Sequence, residues 1–207
     1  MDAEMVRDYA LAASGLLVPK LGGPSVRPYQ PDGIWEAVAM PESNTKKYKR
    51  DTGESLYRRS LYTFWKRAAP PASMDIFNAP SRETCTVRRE RTNTPLQALA
   101  TLNDPQFIEA ARHLAQEALL RDENDIAQSF DFIARRVLLR PLRSQESAVI
   151  KATHAKLLAF YQSDTEEAKK LLSIGEAKVD ETIPAADLAA MTMIANEVLN
   201  LDEVLNK

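Results

Sequence analysis

Three guanidinium groups within four residues, at Arg88, Arg89 and Arg91, are the densest chemistry in this 207-residue chain. Each is a planar fork of N–H donors that matches a sulfate or carboxylate through paired hydrogen bonds, so the run RRER can form an anion site. The same forks can instead act as internal struts, paired with the carboxylates of Asp75, Glu83, Glu90 or Asp104. Asn93 and Asn103 each lie beside a helix start, and their amides suit a loop that ties the two entrances together through side-chain-to-backbone hydrogen bonds. The leading expectation is a buried polar hub made of Arg88, Arg89, Arg91, Asn93, Asn103 and Asp104. In such a hub Arg91→Ala or Asn93→Ala leaves buried partners unpaired and costs about 1–3 kcal/mol.

Nothing as dense marks a reaction. Cys85 has Arg82, Arg88 and Arg89 near it in sequence, which favours a thiolate nucleophile, but no base is identifiable beside it. Carboxylates drawn from Asp75, Glu83, Glu90 and Asp104 serve glycoside hydrolysis only at a separation of about 5–10 Å, which sequence does not supply. His113 and His154 fall on different predicted helices without an i,i+4 ligand partner, so a helical zinc site is unsupported. One cysteine makes neither an internal disulfide nor a thiolate cluster. No catalytic residue and no metal ligand are assigned, and a hydrolase using carboxylates or Cys85 stands as an alternative.

These side chains need a scaffold, and 207 residues with 44% hydrophobic content can build one. The net charge of −2 conceals an asymmetry. Residues 46–91 carry twelve Lys and Arg against five Asp and Glu, a local +7, while the remainder carries fifteen against twenty-four, or −9. A positive centre can dock on its own negative flanks or on an external anion. No run reaches the roughly 18–20 apolar residues of a membrane span, and MDAEMVRDYALAASG lacks the pattern of a signal peptide, so the chain as given is expected to stay in the cytoplasm.

The periodicity predicts a mainly α, irregular helical domain with long loops and at most a short strand or hairpin. A helix is expected over residues 4–13, with Met5, Val6, Tyr9 and Ala13 on one face and Gly15 as a left-handed stop. GGPSVRPYQPDG must be a loop, pinned by Trp35, and PESNTKKYKRDTGES a mobile surface excursion. LYRRSLYTFWKRA reads as a helix with Leu61, Phe64 and Trp65 on its stripe. RETCTVRRERTNTP alternates Cys85, Val87 and Arg89 against Thr84, Thr86 and Arg88, as a short strand does. Thr94 before Pro95 and Asp104 before Pro105 are helix starts, because the side-chain oxygen caps free N–H groups where proline needs none. Further helices are expected with faces at Ile126, Phe130, Ile133 and Val137, then at Ile150, His154 and Tyr161 after a Ser144 cap, then after an Asp164 to Glu167 capping box, and last after Pro184. The organisation expected is one domain over 1–207, with a loop-rich half at 1–122 and a helical half at 123–207.

Together YRRSLYTFWKR, FNAP, RETCTVRRERTNTPLQAL and LNDPQFIEAAR resemble the planctomycete PSD-one domain, a family of unknown function. GGPSVRPYQPDGIWE, VLLRPLRSQE and ANEVLNLDE extend the resemblance over most of the chain. The resemblance implies the C-terminal part of a large exported protein, periplasmic or at the cell surface. It also implies cytochrome-like haem modules upstream and a setting of sulfatases and polysaccharide degradation. The chain holds no Cys-x-x-Cys-His, so haem is expected only on those other modules, and the sequence resembles a fragment lacking the domain's upstream part. Expected partners are therefore other modules of the parent protein, with an anionic (sulfated) glycan as the alternative. Nucleic acid is disfavoured, because no recognition motif accompanies the basic region.

Overall fold

The computed structural model describes residues 1–121 and 125–206. Ten α-helices and two 3₁₀ turns are present among these residues, with isolated bridges and no sheet, so the mainly α expectation holds. The chain separates into two compact units, Met1–Tyr9 with Leu17–Ala100, and Ala10–Leu16 with Thr101–Lys207. The expected boundary between 122 and 123 lies outside the described residues.

The first unit takes α1 (Ala3–Ala13) as far as Tyr9, and its α2 (Ile34–Val38) and α3 (Ala72–Ile76) are single short turns set among loops. The loops are ordered by side chains in place of a sheet. Arg7, 3% exposed, donates to the carbonyls of Leu56 at 2.5 Å and Arg58 at 2.8 Å and to Ser60 Oγ at 3.1 Å. Arg58, 4% exposed, donates in turn to Lys20 O, Gly22 O and Pro24 O at 3.2, 2.5 and 2.9 Å, and its guanidinium lies 4.0 Å from the Tyr62 ring centre. Two buried arginines thus satisfy loop carbonyls that no regular element pairs.

The helix expected over LYRRSLYTFWKRA is absent. Two 3₁₀ turns, Gly53–Tyr57 and Ser60–Tyr62, stand in its place, and Leu61 is exposed. The competing bonds are long-range: Arg7 claims the carbonyls of Leu56 and Arg58, Val26 N donates to Tyr62 O, and Phe64 N donates to Val26 O. A helical ladder needs those same groups.

Trp35 does pin the early loop. It is buried, with Tyr48 edge-on at 4.9 Å, Phe64 at 5.5 Å and Lys66 Nζ 4.7 Å from its ring. Tyr48 also ties down the lysine-rich segment that reads as a free excursion, donating to Pro28 O at 2.5 Å, while Asp51 accepts from Arg27 N at 2.7 Å. Burial raises the Tyr48 hydroxyl above its ordinary range. Lys46, Lys47 and Lys49 are exposed as expected.

The strand expected across RETCTVRRERTNTP is also absent: residues 81–93 are exposed and unpaired as strand, and Val87 is wholly exposed. Alternation specifies a strand only where a neighbouring strand exists to receive it. At the end of this segment α4 (Pro95–Asn103) begins as expected. Thr94 Oγ1 accepts from Gln97 N at 3.3 Å, and Gln97 Oε1 accepts from Thr94 N at 3.0 Å, which completes a reciprocal cap.

The second unit contains α5 (Pro105–Arg121), α6 (Ile126–Val137), α7 (Ser144–Ser163), α8 (Thr165–Leu172), α9 (Ala185–Leu199) and α10 (Asp202–Leu205). Its axis is α9, which packs against each of the other five. Leu188, Ala189, Ala190, Met191, Ile194 and Ala195 are buried around its circumference, the pattern of a helix surrounded by others. Local signals set the boundaries: Asp104 caps α5 through Gln106 N at 3.0 Å, Asp125 caps α6 through Ala127 N at 2.9 Å, and Asp164 caps α8 through Glu167 N at 3.2 Å. Ser144 is not a cap; it is the first residue of α7, where Glu146 Oε2 accepts from Arg143 N at 2.8 Å. Ile126 is exposed rather than core, as is Met5 of α1. Val204 is 2% exposed, so the closing segment is docked. No described helix is long and apolar enough to cross a membrane.

Candidate functional site

The arginine run lies in the connection from α3 to α4, and its ends are fixed before its centre is reached. Trp65 Nε1 donates to Ser81 O at 3.1 Å, and Arg82, in the left-handed region at φ 63°, stacks its guanidinium 4.5 Å from the Trp65 ring centre. Glu83 pairs with Arg67 at 2.5 Å. At the other end Thr92 Oγ1 accepts from Asn78 Nδ2 at 2.7 Å and from Gln97 Nε2 at 2.9 Å, and the same Gln97 amide donates to Ile76 O. The buried Gln97 therefore joins the helix cap to the arginine segment.

Between these anchors Arg88, Arg89 and Arg91 converge, with Glu90, Thr92 and Asp2, on an open hollow of roughly 740 Å³. Arg89 Nη1 meets Glu4 Oε2 at 2.6 Å and Asp2 Oδ2 at 3.9 Å, and Arg91 Nε meets Asp2 Oδ1 at 2.9 Å. Arg88 forms no ion pair with any described residue, and it is exposed. The hollow thus holds three guanidinium forks, of which two rest on acidic side chains at the start of α1 and one faces solvent.

This geometry corrects the buried hub. The arginines come together, but on the surface, and their carboxylate partners are Asp2 and Glu4 rather than Asp75, Glu83, Glu90 or Asp104. Asn93 is exposed and does not line the hollow. Asn103 ends α4, and Asp104, which caps α5, belongs with it to the second unit. The buried arginines that do act as struts, Arg7 and Arg58, lie outside this run, and of the two only Arg58 stands out in the sequence, within LYRRSLYTFWKRA. Arg7 sits on a helix whose burial is decided by residues some fifty positions away, so it carried no local signal.

Cys85 and both histidines lie outside the lining of the hollow. Cys85 is exposed. His113 donates from Nδ1 to Ser14 O at 2.6 Å, while His154 packs edge-on against Phe130 at 5.2 Å. Among the described residues no group of His, Cys, Asp and Glu is placed to hold a metal ion.

Residues 1–154 match the family described as PSD1, protein of unknown function (DUF1553). The chain belongs to this family. The PSD1 match contains the whole arginine segment and ends within α7, so ANEVLNLDE lies beyond it. Neither a curated protein nor a solved structure matches the chain.

Proposed function

We propose that this PSD1 chain is a non-catalytic interaction domain whose Arg88–Arg91 hollow binds an anionic group, with sulfated or carboxylated polysaccharide as the ligand class. The observation that carries the reading is the exposed, counterion-poor placement of Arg88 beside two further forks on one open hollow. Planar guanidinium groups favour oxyanions that accept two parallel hydrogen bonds, and an open hollow suits a polymer passing through it. The resemblance to exported proteins of polysaccharide-degrading bacteria agrees with this ligand class.

Arg89 and Arg91 already hold protein carboxylates, which favours a second reading: an acidic segment of a neighbouring module in the parent protein occupies the hollow. Titration calorimetry with heparin, with desulfated heparin and with duplex DNA separates the cases. Heparin is expected to bind at low ionic strength, weaken as salt rises, and lose most affinity in Arg88→Ala; equal binding of the desulfated chain, or no binding of heparin at all, would overturn the glycan reading. Stronger binding of DNA than of heparin would point to generic charge attraction instead.

A further inference from the structure

A second cationic hollow lies in the C-terminal unit, and it is built in another way. Gln128, Asp131, Phe132, Arg135 and Arg136 recur at helical spacing along one face of α6, and with Arg121, the last residue of α5, they line an open hollow of about 460 Å³. Basic residues in the last turn of a helix are ordinary, because they face its free carbonyls. Here the last turns of two helices bring their cations to one place.

The order in this hollow comes from a ring more than from carboxylates. The Arg121 and Arg136 guanidiniums lie 5.3 and 5.9 Å from the Phe132 ring centre. A cation held against an aromatic face is fixed in position and keeps its charge, whereas one paired with a carboxylate is neutralised. Arg121 forms no ion pair with any described residue. Arg136 donates from Nε to Ala13 O at 3.1 Å, while Glu117 Oε2 stands 3.8 Å from its Nη2. Arg135 is the closely paired member, with Asp131 at 2.6 Å. Three exposed forks thus share one lining carboxylate.

The lining also separates classes of ligand. A helical peptide needs several apolar anchors on one face, and among the described residues of this hollow Phe132 is the one apolar side chain. An oxyanion ester needs only forks that present parallel N–H bonds. We propose that the α5–α6 hollow is a second anion site, which takes a sulfate ester group of a polysaccharide. Its ligand class rests on the polysaccharide reading of the Arg88–Arg91 hollow, but its residues belong to the other unit and act without that hollow.

The test is titration calorimetry of the whole chain with a heparin tetrasaccharide. Two molecules are expected to bind each parent chain and one to bind Arg88→Ala. In the Arg88→Ala background Arg121→Gln should weaken the remaining site about tenfold, with an unchanged melting temperature because Arg121 is exposed. In the same background Phe132→Leu should weaken it about threefold and Phe132→Tyr restore it, since leucine fills the place of the ring without its charged face. The idea is overturned if Arg88→Ala binds no tetrasaccharide, a result that leaves the Arg88 reading standing, or if Arg121→Gln binds as tightly as its parent. Binding that Arg121→Gln abolishes and Arg88→Ala leaves untouched would remove the Arg88 reading and keep this one. A DNA tetranucleotide or a poly-glutamate peptide bound by Arg88→Ala as tightly as the tetrasaccharide would overturn the sulfated sugar as its ligand.

Discussion

Glu109 and Arg112, one turn apart on α5 and each about 1% exposed, grip the same turn from both sides of its hydrogen-bonding capacity. Glu109 Oε1 accepts from Glu176 N at 2.5 Å and Ala177 N at 2.6 Å, while Arg112 Nη2 donates to Ile174 O at 3.3 Å and Ala177 O at 2.7 Å. The carboxylate satisfies the donors and the guanidinium satisfies the acceptors of one short connection, and the two charges lie 3.9 Å apart.

Removing either partner leaves the other charge buried with unpaired backbone groups. Glu109→Ala and Arg112→Ala should therefore each lower unfolding stability by about 3–5 kcal/mol in urea titrations. A loss below about 1 kcal/mol would show that the turn does not depend on the pair.

Gly175 lies within that turn at φ +94°, and a Cβ there would stand 2.5 Å from the Glu109 carboxyl carbon. Gly33, at φ +81°, has open space around the same position. Gly175→Ala should thus cost more than Gly33→Ala, the latter carrying only backbone strain of about 1–3 kcal/mol. Thermal melts of the two variants check the order, and equal losses would mean that Glu109 gives way freely.

The exposed and buried arginines predict opposite sensitivities. Arg91 forms a surface pair, so Arg91→Ala should cost about 1 kcal/mol or less, below the 1–3 kcal/mol expected of a buried hub. Arg7→Met, which strips donors from two carbonyls and Ser60 Oγ, should cost about 3 kcal/mol or more. Denaturant unfolding of both variants measures this, and a reversed order would restore the hub.

Asp2 and Glu4 compete with any anion for Arg89 and Arg91. The double variant Asp2→Asn, Glu4→Gln should bind heparin about two- to tenfold more tightly than the parent, in line with about 0.2–1 kcal/mol for exposed pairs. Weaker binding would mean that the two carboxylates orient the forks rather than mask them.

Burial holds His154 below the usual imidazole range, against a smaller upward pull from Asp187, and its Nε2 has no described hydrogen-bond partner. The unfolded chain takes up this proton near pH 6.5, the folded chain only at lower pH. Folding stability should therefore be insensitive to this group above about pH 7 and fall as pH drops from about 6.5 through the folded value. The melting-temperature advantage of the parent over His154→Phe should shrink across that window. An advantage constant from pH 8 to pH 5 would rule the mechanism out.

What was legible in the chain was local. Thr94 before Pro95, Asp104 before Pro105 and Asp164 before Glu167 name helix starts because cap and capped group lie within three residues. The helical character of α9 was equally plain from its near-continuous apolar content. What failed was long-range. The segment around Leu61 has helical spacing, but Arg7 and Val26 draw off its backbone groups, and neither is near it in sequence. Arg88, Arg89 and Arg91 are adjacent in the chain and so plain to read, yet their partners Asp2 and Glu4 lie more than eighty residues away.

Arg58 gathers the carbonyls of Lys20, Gly22 and Pro24 onto one guanidinium. A loop hung from one guanidinium, with only Gly22 N also donating to the Tyr62 hydroxyl at 2.8 Å, has no ladder along which to slip or unzip by degrees. It is held in one shape or let go whole, and a protease or an exchanging amide would find the stretch from Lys20 to Pro24 opening as one event.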